Sequence, residues 1–226
     1  NANLDKASEG VIHAAFGFSG QKCSACSRVY VQKDVAEQFI KKLTDKSKSL
    51  KIGMPWSGDT FLGPVINKDA VLKFEDAVSL AKKDGKIIFG GEKINDSEYE
   101  HGFFVQPTIV TDLPQDHKLV TEELFLPFLC INTYDNFDEA IKLANKTEYG
   151  LTAGIFSEDA TQIDEFFEKI QAGTVYANRA SSATTAALVQ SQPFVGWKSS
   201  GTTGKGAGGE IYLHQFLRSQ TQTLCD

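Results

Sequence analysis

The sequence predicts an α/β domain built on an open, largely parallel sheet flanked by helices. Two observations lead to this fold class. Segments rich in β-branched and aromatic residues alternate with segments of helical period along most of the chain, which is the pattern of strands joined by crossover helices. In addition, 226 residues with 41% hydrophobic and 23% charged side chains can bury a substantial core.

The first predicted elements are a helix, a glycine-containing turn and a strand. An amphipathic helix is expected from Asn1 to about Phe18, with Asn3 or Asp5 available as its N-cap. A turn at Gly20–Arg28 (Gly-Gln-Lys-Cys-Ser-Ala-Cys-Ser-Arg) then runs into a strand at Ser27–Gln32. The apolar face of the helix is formed by Leu4, Ala7, Val11, Ile12 and Ala15.

Two more helices are predicted on either side of a connector rich in Gly and Pro at residues 53–66. Asp34 and Glu37 indicate a capping-box start for the first helix, and Asn67 is expected to cap the second. A short buried strand is predicted at Gly85–Gly91. The apolar positions of the first helix are Val35, Phe39, Ile40, Leu43, Ser47 and Leu50, and those of the second are Val71, Phe74, Ala77, Val78 and Ala81.

The alternation continues to residue 178. Pro107 lies within the β-rich segment Gly102–Val110, and because it cannot donate to a ladder it indicates a bend or an edge strand. Asn136 and Glu139 indicate the start of a helix. Strands are expected at Phe128–Thr133, Tyr149–Phe156 and Thr174–Asn178, and a helix is expected around Ile163, Phe166, Phe167 and Ile170.

The C-terminal region has a different character. Residues 199–209 contain five glycines in eleven positions, which predicts a loop and neither a helix nor a strand. Glu210–Arg218 alternates loosely between polar and apolar residues, as an exposed strand does that another subunit covers. We therefore expect a domain at residues 1–209 and a C-terminal strand or tail, used for oligomerisation, at residues 210–226.

Composition narrows the class of protein. The net charge of −6 argues against a nucleic-acid partner, because phosphate binding favours a basic surface. No apolar run approaches the roughly 18 residues that a membrane span requires, and no secretory signal pattern opens the sequence. Four cysteines in this length indicate reduced thiols and not a disulfide scaffold, so we expect a cytoplasmic protein or one of an organelle matrix.

Three uses of the Cys23-x-x-Cys26 pair are open from the residues alone. A zinc site needs two more soft ligands, and the remaining cysteines and histidines show no paired metal spacing, so no metal is expected. A redox disulfide of this spacing usually opens a helix, whereas a strand follows here. A nucleophilic thiol suits a glycine-containing turn that presents the side chain to a cleft, and Cys23 is the better candidate for this role.

The segment Gly20–Arg28 resembles the active-site segment of the aldehyde dehydrogenase superfamily. Its Cys-Ser-Ala-Cys-Ser-Arg version is similar to the branch that oxidises glutamate γ-semialdehyde, the Δ1-pyrroline-5-carboxylate dehydrogenases. The resemblance implies the catalytic-domain fold of that superfamily and identifies Cys23 as the nucleophile, whose backbone amide also helps to bind the oxyanion. It extends from Asn1 to about Thr221.

Two further segments match motifs of the same family. Glu-Glu-Leu-Phe-x-Pro at residues 122–127 resembles the segment in which the glutamate binds the nicotinamide ribose and the phenylalanine packs beside the ring. The resemblance thus implies cofactor-binding roles for Glu123 and Phe125, with NAD or NADP as the cofactor. The glycine loop resembles the substrate loop, which implies that Gly208 and Gly209 bind the α-carboxylate of the aldehyde and that Ser24 assists, although this loop has one residue more than the family pattern.

The resemblance covers only part of the family's catalytic set. The glycine-rich cofactor turn, the general-base glutamate and the second oxyanion donor of the family all lie upstream, so we expect a catalytic half without the N-terminal Rossmann-type domain. Expected partners are a small aldehyde with an α-carboxylate and either a homo-oligomer or a separate cofactor-domain chain. The alternatives are an inactive remnant, an oligomerisation module or a cofactor-independent thiol esterase.

Overall fold

The computed structural model describes residues 1–95, 99–180, 191–203 and 205–225. Six helices and eight strands lie in these ranges. The helices are α1 (Leu4–Phe16), α2 (Lys33–Lys48), α3 (Lys68–Asp84), α4 (Lys118–Thr121), α5 (Phe137–Asn145) and α6 (Ala160–Lys169). The strands are β1 (Arg28–Gln32), β2 (Lys86–Phe89), β3 (Thr108–Thr111), β4 (Phe128–Tyr134), β5 (Tyr149–Gly150), β6 (Thr152–Ile155), β7 (Thr174–Ala177) and β8 (Trp197–Lys198).

The main sheet has the strand order β1-β4-β3-β2. The pairs β1–β4 and β4–β3 are parallel, while β2 joins β3 in the antiparallel direction. Two smaller pairs complete the strands, with β6 parallel to β7 and β5 antiparallel to β8. The predicted open, largely parallel sheet is confirmed.

Helices cover both faces of the main sheet. Successive residues of β4 point to opposite faces, so Leu129 and Ile131 pack with α1 and α2, whereas Phe128 and Cys130 pack with α3. A third, smaller core lies beneath α6 and is centred on Phe166. This layered packing requires strands that are apolar on both faces, as β4 is.

Most predicted helix starts and faces are confirmed. Asn3 accepts hydrogen bonds from the amides of Asp5 and Lys6, and Asn67 accepts one from Ala70. Asn136 caps α5 by accepting from the amide of Glu139. The buried residues of α3 are the five that the helical period indicated, namely Val71, Phe74, Ala77, Val78 and Ala81.

Three local predictions are wrong, and a fourth is narrowed to one of its two alternatives. Helix α2 begins at Lys33, directly after β1, so Asp34 falls in its first turn and no side chain caps the helix. Strand β2 is half-buried because it lies at the antiparallel edge of the sheet. Of the two alternatives that Pro107 indicated, a bend or an edge strand, the edge is excluded, because β3 starts just after Pro107 and is an interior strand. In place of the strand expected at Glu210–Arg218, residues Tyr212–Phe216 form a 3-10 helix.

Candidate active site

Cys23 follows a tight turn at the end of α1. The chain leaves the helix through a 3-10 turn at Gly17–Gly20, in which Phe18, Ser19 and Gly20 have φ angles of 58°, 57° and 66°. A Cβ atom at Gly20 would lie 2.2 Å from the carbonyl oxygen of Leu126. Glycine is therefore required at this position, both for its left-handed backbone and for the close approach to a neighbouring segment.

The turn is held rigidly by hydrogen bonds to the connector between α2 and α3. The hydroxyl of Ser19 donates to the carbonyl of Gly63 at 2.8 Å. The amide of Ile66 donates to the side-chain oxygen of Gln21, also at 2.8 Å. The turn is therefore fixed by two neighbouring segments: Ser19 and Gln21 bond to the connector, and Gly20 packs against Leu126. These contacts explain how a loop can present a side chain in a defined position.

The two thiols of the motif have different surroundings. Cys23 is exposed, whereas Cys26 is largely covered and its thiol donates to the carbonyl of Arg28 at 3.4 Å. Burial raises the pKa of Cys26 to about 11, despite the opposing effect of Arg28. Only the thiolate is nucleophilic, so Cys26 is a structural thiol and Cys23 is the one available to a substrate.

Ser24 directly follows Cys23 in the chain. It is 3% exposed, and its carbonyl accepts a hydrogen bond from the hydroxyl of Thr152 at 3.5 Å. This contact joins the Cys23 turn to the start of β6. Ser24 and Cys23 both line the cleft.

The two predicted cofactor residues line the same cleft. Glu123 is exposed, and Phe125 is 44% exposed with a φ angle of 60°. A bulky aromatic residue in the left-handed region is uncommon and is found where the surrounding structure enforces it. The neighbouring Leu126 is the residue against which Gly20 packs, so the same contact fixes the Glu123–Phe125 segment relative to the Cys23 turn.

Tyr149 is a cleft residue that the sequence did not indicate. It is 40% exposed, and partial desolvation together with the carboxylate of Glu148, and then that of Glu123, raises the pKa of its hydroxyl. The hydroxyl donates to the carboxylate of Glu148 and accepts a hydrogen bond from the backbone of Glu123, so Tyr149 helps to position Glu123. No sequence signal identified Tyr149, because it lies in a segment whose composition indicated only a strand.

The predicted substrate glycines do not lie with the other site residues. Gly208 and Gly209 have φ angles of 75° and 72°, and Gly209 packs against the backbone of Pro193. Within the described part of the chain, neither lines the cleft that contains Cys23, whereas Ser199 and Ser200 do. Gly204, which belongs to the predicted loop at residues 199–209, lies outside the described residues, and the carboxylate-binding role of Gly208 and Gly209 stays a prediction.

One cleft of about 580 Å³ therefore brings together Cys23, Ser24, Glu123, Phe125 and Tyr149. Over the ranges that the structure describes, no three His, Cys, Asp or Glu side chains are grouped as a metal site requires. No helix in the same ranges is long and apolar enough to span a membrane. An exposed thiol in one cleft with a carboxylate and an aromatic ring suits covalent chemistry on a carbonyl carbon beside a bound organic cofactor.

Comparison with known proteins gives one family. The model described as "Aldehyde dehydrogenase family" matches residues 1–222. The chain is 39% identical over 223 residues to a 1-pyrroline-5-carboxylate dehydrogenase of Oceanobacillus iheyensis, covering 99% of this chain and 42% of that protein. A protein of the same name from Anoxybacillus flavithermus is 40% identical over 220 residues, covering 97% of this chain and 41% of its own length.

Solved structures agree with this assignment at the level of the fold. A 1-pyrroline-5-carboxylate dehydrogenase from Thermus with bound NAD superposes with a TM-score of 0.88 at 33% identity, over 96% of this chain and 40% of that one. A betaine aldehyde dehydrogenase from Staphylococcus aureus in complex with NAD+ gives 0.89 at 30% identity, over 97% and 42%. The fold similarity thus extends equally to relatives named for different aldehydes. The chain spans about two fifths of the length of these relatives.

Proposed function

The chain belongs to the aldehyde dehydrogenase family. We propose that it is the nucleophile-bearing part of an NAD(P)-dependent enzyme that oxidises glutamate γ-semialdehyde to glutamate. The observation that carries the proposal is the exposed Cys23 thiol, which shares a cleft with Glu123 and Phe125. The relatives named 1-pyrroline-5-carboxylate dehydrogenase, at 39% and 40% identity, support the choice of substrate.

Cys23 forms the covalent bond to the substrate. Its thiolate attacks the aldehyde carbon, giving a thiohemiacetal whose oxygen carries negative charge. The backbone amide of Cys23 donates to no acceptor among the described residues, so it can donate to this oxygen. After the aldehyde carbon has lost a hydride, the product is held as a thioester on Cys23, and hydrolysis releases the acid and the thiol.

The residues facing Cys23 fit a nicotinamide cofactor. The exposed carboxylate of Glu123 can accept hydrogen bonds from two ribose hydroxyls, and the half-exposed ring of Phe125 offers a flat apolar surface for the nicotinamide. Tyr149 supports this site by accepting a hydrogen bond from the backbone of Glu123. When bound, the cofactor supplies the hydride acceptor. NAD is proposed, and NADP would meet the same three residues.

The assignment of substrate and partners follows the relatives. Ser24 is proposed to assist the nucleophile, and Gly208 and Gly209 to bind the α-carboxylate through their amides, which glycine leaves accessible. For Gly208 and Gly209 this requires the glycine loop to approach the cleft when substrate binds. The proposed assembly is a homo-oligomer or a complex with a chain that supplies the cofactor domain.

Two separate assays test the proposal, one of the reactivity of the thiol and one of cofactor binding. Release of 4-nitrophenol from 4-nitrophenyl acetate reports acylation of the nucleophile and needs no cofactor. We expect Cys23→Ala to abolish this release, while Cys26→Ala, which removes the neighbouring buried thiol, leaves it largely intact. Equal loss in the two variants would indicate that the thiols act as a pair and would contradict the assignment of Cys23.

Cofactor binding distinguishes a dehydrogenase from a thiol esterase. Binding of NAD by this chain without a cofactor domain is not expected, so the calorimetric titration uses the assembly that contains that domain, beside an assay of glutamate γ-semialdehyde oxidation. There, Glu123→Gln is expected to weaken NAD binding by about tenfold or more, because hydrogen bonds to a charged acceptor are lost. The matched control is Glu122→Gln, which changes the neighbouring exposed carboxylate. If the two variants bind NAD equally, Glu123 is not the ribose ligand.

A further inference from the structure

The backbone of Glu123 is held on two sides by side chains from other elements. Its carbonyl accepts a hydrogen bond from the Nζ atom of Lys73, on α3, at 3.1 Å. Its amide donates to the hydroxyl of Tyr149, which in turn donates to the carboxylate of Glu148. The direction in which Glu123 points therefore depends on the position of Tyr149, the first residue of the two-residue strand β5.

The chain that leads to Tyr149 is held by the side chain of Lys198, the last residue of β8. The Nζ atom of Lys198 donates to the carbonyl of Asn145, the last residue of α5, at 2.6 Å. It also donates to the carbonyl of Thr147 at 3.0 Å. The last carbonyls of a helix have no partner within the helix and carry partial negative charge, so an ammonium group binds them well. Lys198 thus fixes the end of α5 and the chain two residues before Tyr149.

The backbone around Lys198 holds the same connection. Lys198 and Tyr149 are opposite each other in the antiparallel β5–β8 pair. The amide of Ser199 donates to the carbonyl of Glu148 at 3.0 Å. Lys198 has a φ angle of 52°, and a residue other than glycine keeps such a left-handed backbone only where its surroundings enforce it. The position of the Lys198 side chain is therefore determined by the same contacts that hold Tyr149.

The charge of Lys198 is unfavourable in these surroundings. The residue is partly buried, and among the described residues its ammonium group forms no ion pair with a carboxylate. Burial lowers the pKa of this group, and the nearby guanidinium of Arg28 lowers the pKa further. Arg28 itself donates to the carbonyl of Ala144 at 3.5 Å, so two cations meet at the end of α5. The cost of burying the Lys198 ammonium group is offset only by the carbonyls that it holds in place.

We propose that Lys198 is a positioning residue of the cofactor site. By binding the two carbonyls that precede Tyr149 it fixes that residue, and Tyr149 fixes the backbone of Glu123. The inference rests on the proposed role of Glu123 as the ribose ligand. In the described part of the chain Lys198 does not line the cleft, whereas Tyr149 and Glu123 do, so Lys198 acts on the cofactor only through them.

A positioning role and a purely structural role of Lys198 lead to different results. If Lys198 only stabilised the end of α5, its loss would disturb the whole cleft and would affect acylation of Cys23 and cofactor binding alike. A positioning role affects cofactor binding and leaves Cys23 largely unchanged. The reason is that the Cys23 turn is held by other contacts, those of Ser19 and Gln21 with the connector between α2 and α3.

Calorimetric titration with NAD of the assembly that contains the cofactor domain tests the proposal. Lys198→Met keeps the apolar stem and removes the ammonium group. We expect the Kd for NAD to rise about tenfold or more, because hydrogen bonds from a charged donor are lost. Lys198→Arg restores a charged donor and should bind NAD more tightly than Lys198→Met. The matched control is Lys146→Met, which changes an exposed lysine between α5 and β5 and should leave the Kd unchanged.

Two further measurements establish the route of the effect. In a protein that already carries Tyr149→Phe, Lys198→Met should weaken NAD binding little further, because residues that act through one another are not additive. Release of 4-nitrophenol from 4-nitrophenyl acetate, which reports Cys23 alone, should change little in Lys198→Met. If Lys198→Met does not assemble, Lys198→Gln, an uncharged donor, takes its place with the same expected weakening of NAD binding.

Three results would overturn the proposal. They are unchanged NAD binding in Lys198→Met, effects of Lys198→Met and Tyr149→Phe that add in full, and equal losses of acylation and NAD binding. Failure of the proposed function is distinguishable, because Glu123→Gln would then leave NAD binding unchanged. If Glu123→Gln weakens binding and Lys198→Met does not, the cofactor role of Glu123 stands and the positioning role of Lys198 is wrong. If neither variant weakens binding, both roles are wrong.

Discussion

The reactivity of the thiols depends on local surroundings that the motif alone does not reveal. Cys23 and Cys225 are exposed, while Cys26 and Cys130 are covered. Burial raises the pKa of Cys26 to about 11 and that of Cys130 to about 12. The sequence identified Cys23 through its resemblance to a known motif, whereas the protection of Cys26 arises from its packing between β1 and α1, which is non-local.

These surroundings predict an order of alkylation. At pH 8, iodoacetamide should modify Cys23 and Cys225 first, and Cys26 and Cys130 about a hundredfold or more slowly, because their pKa values lie far above the pH and little thiolate is present. The rate for Cys26 should rise until the pH reaches its pKa of about 11. Peptide mass spectrometry measures all four rates. Modification of Cys26 as fast as Cys225 would show that it is not covered in solution.

Gly20 determines the position of the nucleophile turn. Gly20→Ala combines a left-handed φ of 66° with a Cβ atom 2.2 Å from a backbone oxygen, so the turn must move. We expect the free energy of unfolding to fall by about 2 kcal/mol or more, with loss of Cys23 acylation. Gly58→Ala is the control, because a Cβ there meets nothing within 4 Å, and it should change stability by less than about 1 kcal/mol. Urea unfolding compares the two variants.

At the scale of elements, helix starts were predictable where the signal is local. Asn3, Asn67 and Asn136 cap helices because a short polar side chain can reach amides two or three residues ahead. The capping box at Asp34 failed because β1 passes directly into α2, so Gln32 ends the strand and occupies the cap position. Strand position in the sheet was predicted less well, since the neighbours of β3 come from distant parts of the chain.

The difference between real and predicted caps can be measured. Asn67→Ala removes the hydrogen bond to the amide of Ala70 and should lower the free energy of unfolding by about 1 kcal/mol. Asp34→Ala removes a first-turn charge and a long, exposed hydrogen bond from the Gln32 side chain, and it should cost about 0.5 kcal/mol or less. Chemical denaturation of both variants provides the comparison. A larger loss from Asp34→Ala than from Asn67→Ala would mean that α2 does start with a capping box in solution.

At the scale of the whole molecule, the hydrophobic residues fall into cores of unequal size. The two that flank the main sheet hold 14 and 13 buried residues, whereas the core under α6 holds Phe166, Ile170 and Ala172. The sequence predicted each helix and strand around this small core. It did not predict that β6 and β7 are separate from the main sheet, because periodicity gives no information on which strands pair.

This inequality predicts that the protein opens in two stages. The β6–β7 pair and α6 pack around the small core. Among the described residues, β6 and β7 pair only with each other. The amides of these three elements should therefore exchange by local opening. The hydrogen-bonded amides of β3 and β4, the two interior strands of the main sheet, lie between the two large cores and should exchange only on global unfolding. Amide exchange in increasing urea should give β6, β7 and α6 a free energy of opening at least about 1.4 kcal/mol lower, a tenfold difference in rate. Equal values throughout would show one cooperative unit.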